Sequence, residues 1–290
     1  METIAVTEWL ETNKNDFIPP VCNKLMHGGQ LKVMFIGGPN SRKDYHLDAG
    51  EELFYQVKGD MVLKVLEKGV HKDISIKEGQ LFLLPGRIPH SPQRLQNTIG
   101  LVCERLRAEW ELDGLRFFVD GSTEILWERW FYCSDLGKDL LPVITEYKNS
   151  ESFKKGFPCE DWKGCQPAAF AVDAETKLMT PFYLEDWLND NEKDLKSQGW
   201  KEMFGKSTNS QTEVIIYSAG VHSPMPLLAD TFFWQMKGRS TIIIGDEVFK
   251  MSAEEGSSLL LPAQESATIN CEGQDCVLMK ISMPTPQTEL

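Results

Sequence analysis

The chain has 290 residues, 41% hydrophobic and 25% charged, enough for one large or two medium domains with buried cores. A formal net charge of −13, with no Lys/Arg cluster set against it, repels phosphate backbones and excludes nucleic acid as a partner. The start, METIAVTEWLETNKND, has no basic flank followed by an apolar stretch, and no apolar run reaches about 18 residues, so neither secretion nor membrane insertion is expected.

In chain order, TEWLETN predicts a short helix with Thr7 as its N-cap. LKVMFIGG, ELFYQVKGD, MVLKVLEKG, KEGQLFLLPG and GLVCERLR then have strand lengths and strand boundaries, spaced as in an antiparallel all-β sandwich or barrel. In MVLKVLE, Met61, Leu63 and Val65 share one face. From Gly121 the apolar residues of ILWERWFYCSDLGKDLLPVITEYKNSESF recur every three or four positions, with Pro142 inside the pattern, which predicts one or two helices. Residues 156–177, rich in Lys, Gly, Pro and Cys, read as a connection. FYLEDWLNDNEKDLKSQGW reads as an acidic amphipathic helix that turns Leu184, Trp187 and Leu188 inward.

The remaining segments, TEVIIYS, FFWQMKG, STIIIGDEVFK, SSLLLPA and DCVLMKISM, are strands again, and they repeat the first half. FYQVKGD at Phe54 to Asp60 returns as FWQMKGR at Phe233 to Arg239, and EGQLFLLP at Glu78 to Pro85 returns as EGSSLLLP at Glu255 to Pro262. A common offset of 177 to 179 residues makes the chain two copies of one β-domain. Seven cysteines, Cys22, Cys103, Cys133, Cys159, Cys165, Cys271 and Cys276, show no CxxC spacing and read as reduced, mostly buried thiols; Cys159 with Cys165 and Cys271 with Cys276 are the pairs to watch.

The first copy carries His46, Asp48 and Glu52, six residues to Gly59, then Gly79, Pro85 and His90. These spacings resemble the two motifs of the cupin superfamily, in which an HxH and a Glu on one strand pair meet a later His inside a barrel. Asp48 stands where the second His of HxH would be, and Arg87 where Gly is common. His46, Glu52 and His90 remain, a set that suits iron(II) because three protein ligands leave positions for a chelating substrate and dioxygen. Glu51 should point away, and His27, His71 and His222 read as ordinary structural histidines. Arg94, four residues after His90, should project near the metal; Glu104 should share a face with Val102 and Leu106; Arg42 adds positive charge at the cavity mouth. An Arg–Glu pair bracing the barrel is the plainer account of Arg94 and Glu104.

Within the superfamily, GGPNSRKDYHLDAGEELFYQVKGDM, LLPGRIPHSPQR and ERLR are similar to the 3-hydroxyanthranilate 3,4-dioxygenase family, over essentially the whole chain and in its two-domain animal form. That resemblance implies a bicupin, two antiparallel jelly-roll barrels with a few peripheral helices: a catalytic cupin over 1–160, a linker over 161–177 and a vestigial cupin over 178–290. It implies an iron(II) extradiol-type enzyme that opens the ring of 3-hydroxyanthranilate with O2, giving 2-amino-3-carboxymuconate semialdehyde, the precursor of quinolinate on the kynurenine route to NAD. Carried over residue by residue, the iron ligands are His46, Glu52 and His90; substrate meets Glu52, Arg94 and Glu104; Arg42 serves dioxygen; Arg42 and Glu104 are the catalytic groups. Bacterial relatives hold a second, cysteine-bound iron, whose pattern is missing here, so one Fe(2+) per chain is expected. Alignment of the repeats puts Met225, Thr231 and Ala267 at the positions of His46, Glu52 and His90, so the second copy should bind no metal. A cytosolic monomer whose partners are substrate and O2 follows. The competing functions are a thiol dioxygenase or metal-dependent isomerase on the same scaffold, and a bicupin binding or storage protein; Glu52 weighs against the first and an intact ligand set against the last.

Overall fold

A computed structural model describes residues 1–19, 22–160, 167–205, 210–225 and 228–285. Cys165 and part of the connection expected over 156–177 lie outside them. The described residues form three antiparallel sheets. An inner sheet runs in the order Phe182–Tyr183, Gln80–Leu84, Glu52–Lys58, Ile99–Arg105, Leu31–Gly37, Asn23–Gly28. An outer sheet runs Ile125–Phe131, Asp113–Phe118, Tyr45–Leu47, His90–Arg94, Met61–Glu67, Val70–Ile76. The third sheet belongs mainly to the second copy and is built around the long strands Thr231–Ile244 and Thr268–Ser282. This is the expected all-β architecture of two jelly-roll barrels.

The inner sheet is covered on both faces, and side-chain parity divides what it covers. Leu31, Val33, Phe35, Leu53, Leu101 and Cys103 join Val214, Ile216, Phe232, Trp234, Met279 and Ile281 of the third sheet in one shared hydrophobic cluster. Phe35 meets Trp234 edge-on across it, with centroids 6.1 Å apart at 85°. The alternate positions Met34, Phe54 and Val102 turn the other way and pack with Met61, Leu63, Val65, Phe82 and Leu84 inside the first barrel. Lys32, Glu52 and Glu104 have the same parity as Met34, Phe54 and Val102, so the sheet delivers three charged side chains into that interior. The motif glycines turn the chain between these strands in both copies: Gly59 and Gly79 take φ of 65° and 81°, and Gly238 and Gly256 take 68° and 61°.

Several elements differ from expectation. Thr7 is not an N-cap: the helix Val6–Thr12 starts after Ala5, because the strand Ile4–Ala5 pairs with Ser257–Ser258 and the Val6 N–H donates to Gly256 O at 3.2 Å. ILWERWF is a strand, Ile125–Phe131, paired with Asp113–Phe118, and the helices begin only at Leu136–Asn149, which contains Pro142, and Glu151–Lys155. A register shift pairs Phe117 with Trp127 but Phe118 with Ile125, and this bulge leaves Leu126 and Trp127 both buried, which breaks the two-residue alternation. The acidic segment from Phe182 is a strand, Phe182–Tyr183, followed by two helices, Leu184–Asp190 and Glu192–Gln198, with Leu184 and Leu188 buried and Trp187 packed on the shared cluster.

The repeat also extends further than the two motif pairs. Strand Ile4–Ala5 and helix Val6–Thr12 recur 178 residues later as Phe182–Tyr183 and Leu184–Asp190, with Trp9, Leu10 and Asn13 matched by Trp187, Leu188 and Asn191. Asn13 Nδ2 donates to Trp9 O at 2.7 Å and Asn191 Nδ2 to Trp187 O at 2.6 Å, closing both helices in the same way. The short strand of each copy crosses to the other: Ile4–Ala5 joins the third sheet and Phe182–Tyr183 joins the inner sheet at Leu81 and Gln80.

Candidate metal centre

The site is assembled by register. On the outer sheet His46 and His90 are direct cross-strand partners, with rings 5.3 Å apart and 79° to one another. On the inner sheet Glu52 is the partner of Glu104, and Glu104 of Lys32. The two sheets face each other, and Glu52 Oε1 comes to 3.3 Å from His90 Nε2 and 3.8 Å from His46 Nδ1. All three residues are buried, and their donor atoms lie within 4.8 Å of one another, so the ligand set expected from the motif spacing does converge. Cis donors about 2.1 Å from one ion sit about 3 Å apart, so a modest contraction would seat it.

Each imidazole has one ring nitrogen tied to a fixed acceptor and the other turned toward Glu52, the arrangement an ion held there would require. His90 donates Nδ1–H to Ile88 O at 3.0 Å, which turns the Nε2 lone pair toward Glu52. His46 donates Nε2–H to Asp113 Oδ2 at 2.8 Å, which leaves Nδ1 toward Glu52. Burial works against ionisation of Glu52, yet His90 and His46 hold its carboxyl well below the ordinary range. Burial likewise lowers His46, but Asp113 and Glu52 overcome it and carry the imidazole up to about 10. These shifts describe a cluster that holds a positive charge beside Glu52, the place an ion would take.

Around this set lies a buried charged network centred on Arg107, which no sequence motif marks. Arg107 is fully buried: Nε and Nη2 donate to the two oxygens of Asp113 at 3.0 and 3.1 Å, and Nη2 also donates to Asp48 Oδ2 at 2.9 Å. Burial raises Asp113, but Arg107 and His46 bring it down to about 2. Burial also raises Asp48; Arg107 opposes it and Glu52 reinforces it, and the carboxyl stands at about 7. No local pattern marks either residue: Asp113 opens a strand defined by pairing with a bulged partner, and Arg107 lies beyond the end of its strand at Arg105.

Arg94 and Glu104 face the same interior but do not pair with each other. Arg94 Nε and Nη2 are buried without a hydrogen-bond partner among the described residues. Burial lowers Arg94 to about 10, with Glu52 opposing and Arg42 reinforcing, so it remains a cation at neutral pH. Both Glu104 oxygens lack a well-formed hydrogen bond, although Oε2 is 2.9 Å from Arg107 Nη1 and Oε1 is 3.6 Å from Lys32 Nζ. The short ion contact has the distance of a pair without hydrogen-bond angles, so Glu104 is compensated in charge and open for a donor. Arg42 is half-buried, and its guanidinium is held by Asp44. Leu106, expected on the Glu104 face, is 37% exposed because the strand ends at Arg105. Arg87, where Gly is common, takes φ of 65°, the left-handed turn that a glycine would make without strain.

The other histidines have structural settings. His71 bridges Tyr45 and Ser122 O, His222 meets Ser218 O at 2.9 Å, and His27 packs on Phe232. The six described cysteines are free thiols. In the second barrel Thr231 and Ala267 are buried and Met225 is 82% exposed, and among the described residues no group of metal donors forms there. Its interior holds instead a buried Lys280 paired with Glu213.

Glu51 points away from the interior, as expected, and what it meets is informative. Its carboxylate accepts from Gln211 N at 3.1 Å, Thr212 N at 2.8 Å, Thr212 Oγ1 at 2.6 Å and Ser210 Oγ at 3.0 Å, tying the residue beside Glu52 to the second copy. Replacement Glu51→Ala leaves those donors unsatisfied and lowers the free energy of unfolding by about 1–2 kcal/mol. An unchanged denaturation midpoint in urea would show that the latch contributes nothing.

Comparison with known proteins places this geometry. The 3-hydroxyanthranilic acid dioxygenase (3-HAO) family profile matches residues 1–148. The chain is 46% identical to the 3-hydroxyanthranilate 3,4-dioxygenase of Xenopus tropicalis over 98% of each chain. It is 46% identical to that of Homo sapiens, covering 91% of this chain and 90% of that one, and 50% identical to that of Nematostella vectensis, covering 83% and 85%. Among solved structures, a variant of salicylate 1,2-dioxygenase from Pseudoaminobacter salicylatoxidans superposes with a TM-score of 0.57 at 12% identity, over 97% of this chain and 83% of that chain, a likeness of fold. The chain belongs to the 3-hydroxyanthranilate 3,4-dioxygenase family and is an oxidoreductase of that dioxygenase class.

Proposed function

We propose that the chain uses one iron(II), held by His46, Glu52 and His90, to open the ring of 3-hydroxyanthranilate with both atoms of O2, giving 2-amino-3-carboxymuconate semialdehyde. The observation that carries this is the convergence of a buried two-His, one-carboxylate set with a buried guanidinium that has free donors in the same barrel interior. A ferrous ion held by those three residues would supply chelation of the aminophenol and activation of dioxygen.

The remaining roles belong to the side chains. Arg94 pairs bidentately with the ring carboxylate, which fixes how the ring lies beside Glu52. Glu104, flanked by Lys32 and Arg107, takes the proton of the substrate hydroxyl at a carboxylate oxygen. Arg42, at the mouth, offers positive charge toward dioxygen as negative charge grows on it. Met34, Phe54 and Val102 line the apolar wall and keep water from the reacting ring.

The large cluster shared by the two copies supports a monomer divided near 161–177, in which the metal-free copy braces the catalytic one. Reduced thiols among the described cysteines, and the absence of any described helix long and apolar enough to cross a membrane, support a place in the cytosol. The product would feed quinolinate and NAD formation. Anaerobic loading with iron(II), followed by 3-hydroxyanthranilate and air, should give stoichiometric oxygen uptake and the ring-opened absorbance. Turnover of cysteine or cysteamine instead would reassign the site to thiol oxidation.

A further inference from the structure

We infer that Arg107 sets the coordination number at this centre by withholding Asp48 from the metal ion. The inference rests on the metal site proposed above and concerns why that site keeps only three protein ligands.

Two groups of potential donors overlap at Glu52: His46, Glu52 and His90 form one, and Asp48, Glu52 and Glu104 form the other, each with its atoms within 4.8 Å of one another. The two groups share Glu52, so five buried donor residues cluster about that carboxylate. If all five bound, no room would remain for a chelating substrate and dioxygen. Asp48 is the sharper competitor, because it lies two residues beyond His46, where parity sends it into the same interior.

Its carboxylate is already engaged. Arg107 Nη2 donates to Asp48 Oδ2 at 2.9 Å, while the same guanidinium grips Asp113, donates from Nη1 to Arg105 O at 3.2 Å and stands 2.9 Å from Glu104 Oε2. A planar guanidinium that does not lose its proton can serve three carboxylates at once, which an ammonium cannot do in the same geometry. Arg107 thus holds Asp113 against His46 and holds Asp48 and Glu104 back. It is a positioning residue: it reaches the metal through other side chains.

Manganese(II) serves as the probe, because water-proton relaxation counts the exchangeable waters on the bound ion without turnover. In Arg107→Met the freed Asp48 enters the coordination sphere, and the water count on the bound ion falls by at least one. Adding Asp48→Asn to that variant restores the water, whereas Asp48→Asn alone leaves the count as in the unsubstituted chain. Should Arg107→Met fail to fold by circular dichroism, Arg107→Lys replaces it, since a single ammonium cannot hold Asp48 and Asp113 together, and the same fall in water is expected. Manganese bound with an unchanged water count in the folded variant overturns the inference alone. An unsubstituted chain that binds no manganese overturns the metal site, and the inference with it.

Discussion

Arg94→Ala lowers kcat/KM for 3-hydroxyanthranilate by about two to three orders of magnitude, equivalent to about 3–4 kcal/mol of transition-state stabilisation. The size follows from the setting of the guanidinium. It is 4% exposed, lies on the strand that carries His90 and has the same parity, and among the described residues two of its nitrogens have no hydrogen-bond partner. Burying a cation without a counter-charge costs several kcal/mol, and the fold tolerates that cost here because the substrate carries the missing carboxylate. Two consequences separate this role from mere bracing of the barrel. The preference for 3-hydroxyanthranilate over 2-aminophenol, which lacks the carboxylate, collapses in Arg94→Ala, because the loss falls on one substrate only. The chain is also no less stable to urea, since an uncompensated buried charge has been removed. Arg94→Lys recovers part of the rate but not the selectivity, for want of the two-pronged donor. Equal losses on both substrates, or a large fall in stability, would return Arg94 to a structural part.

The ligand triad was legible because its spacing is tied to turns. Gly59 and Gly79 must sit where the backbone takes positive φ, and those fixed turns set how far Glu52 and His90 lie from strand ends. The partners of these residues were not legible in the same way. That His46 lies opposite His90, and Glu52 opposite Glu104, depends on register between strands distant in sequence, which no local pattern records. The inner sheet adds a second difficulty. Leu31–Gly37 and Ile99–Arg105 are buried on both faces, so apolar alternation cannot show which side meets the metal. Lys32 and Glu104, charged residues within largely apolar strands, mark the interior face. The bulge at Leu126 turned a strand into an apparent helix, and with Ile125–Phe131 misread, its partner strand and Asp113 went unrecognised. The exchanged strands Ile4–Ala5 and Phe182–Tyr183 are too short to show as strands, although Trp-Leu followed by Asn, at 9, 10 and 13 and again at 187, 188 and 191, records the repeat in plain letters.

His90→Ala abolishes stoichiometric iron binding and, with it, oxygen uptake. The imidazole is one of three protein donors, its orientation fixed by Ile88 O, and the nearby Asp48 and Glu104 carboxylates are engaged by Arg107 rather than free to replace it. Loss of a direct ligand weakens binding by more than the roughly 10–100-fold that supporting residues contribute, which at micromolar protein takes the ion off the chain. The second copy offers no refuge: its equivalent positions are Met225, Thr231 and Ala267, and Lys280 places a cation in its interior beside Glu213. Metal analysis after dialysis should therefore move from one iron per chain to none, and circular dichroism should show the β-structure retained, because the shared cluster and the barrel wall do not depend on the ion. Iron retained at unit stoichiometry by His90→Ala would mean that the ion sits elsewhere, and the roles given to Glu52, Arg94 and Glu104 would lose the centre around which they are arranged.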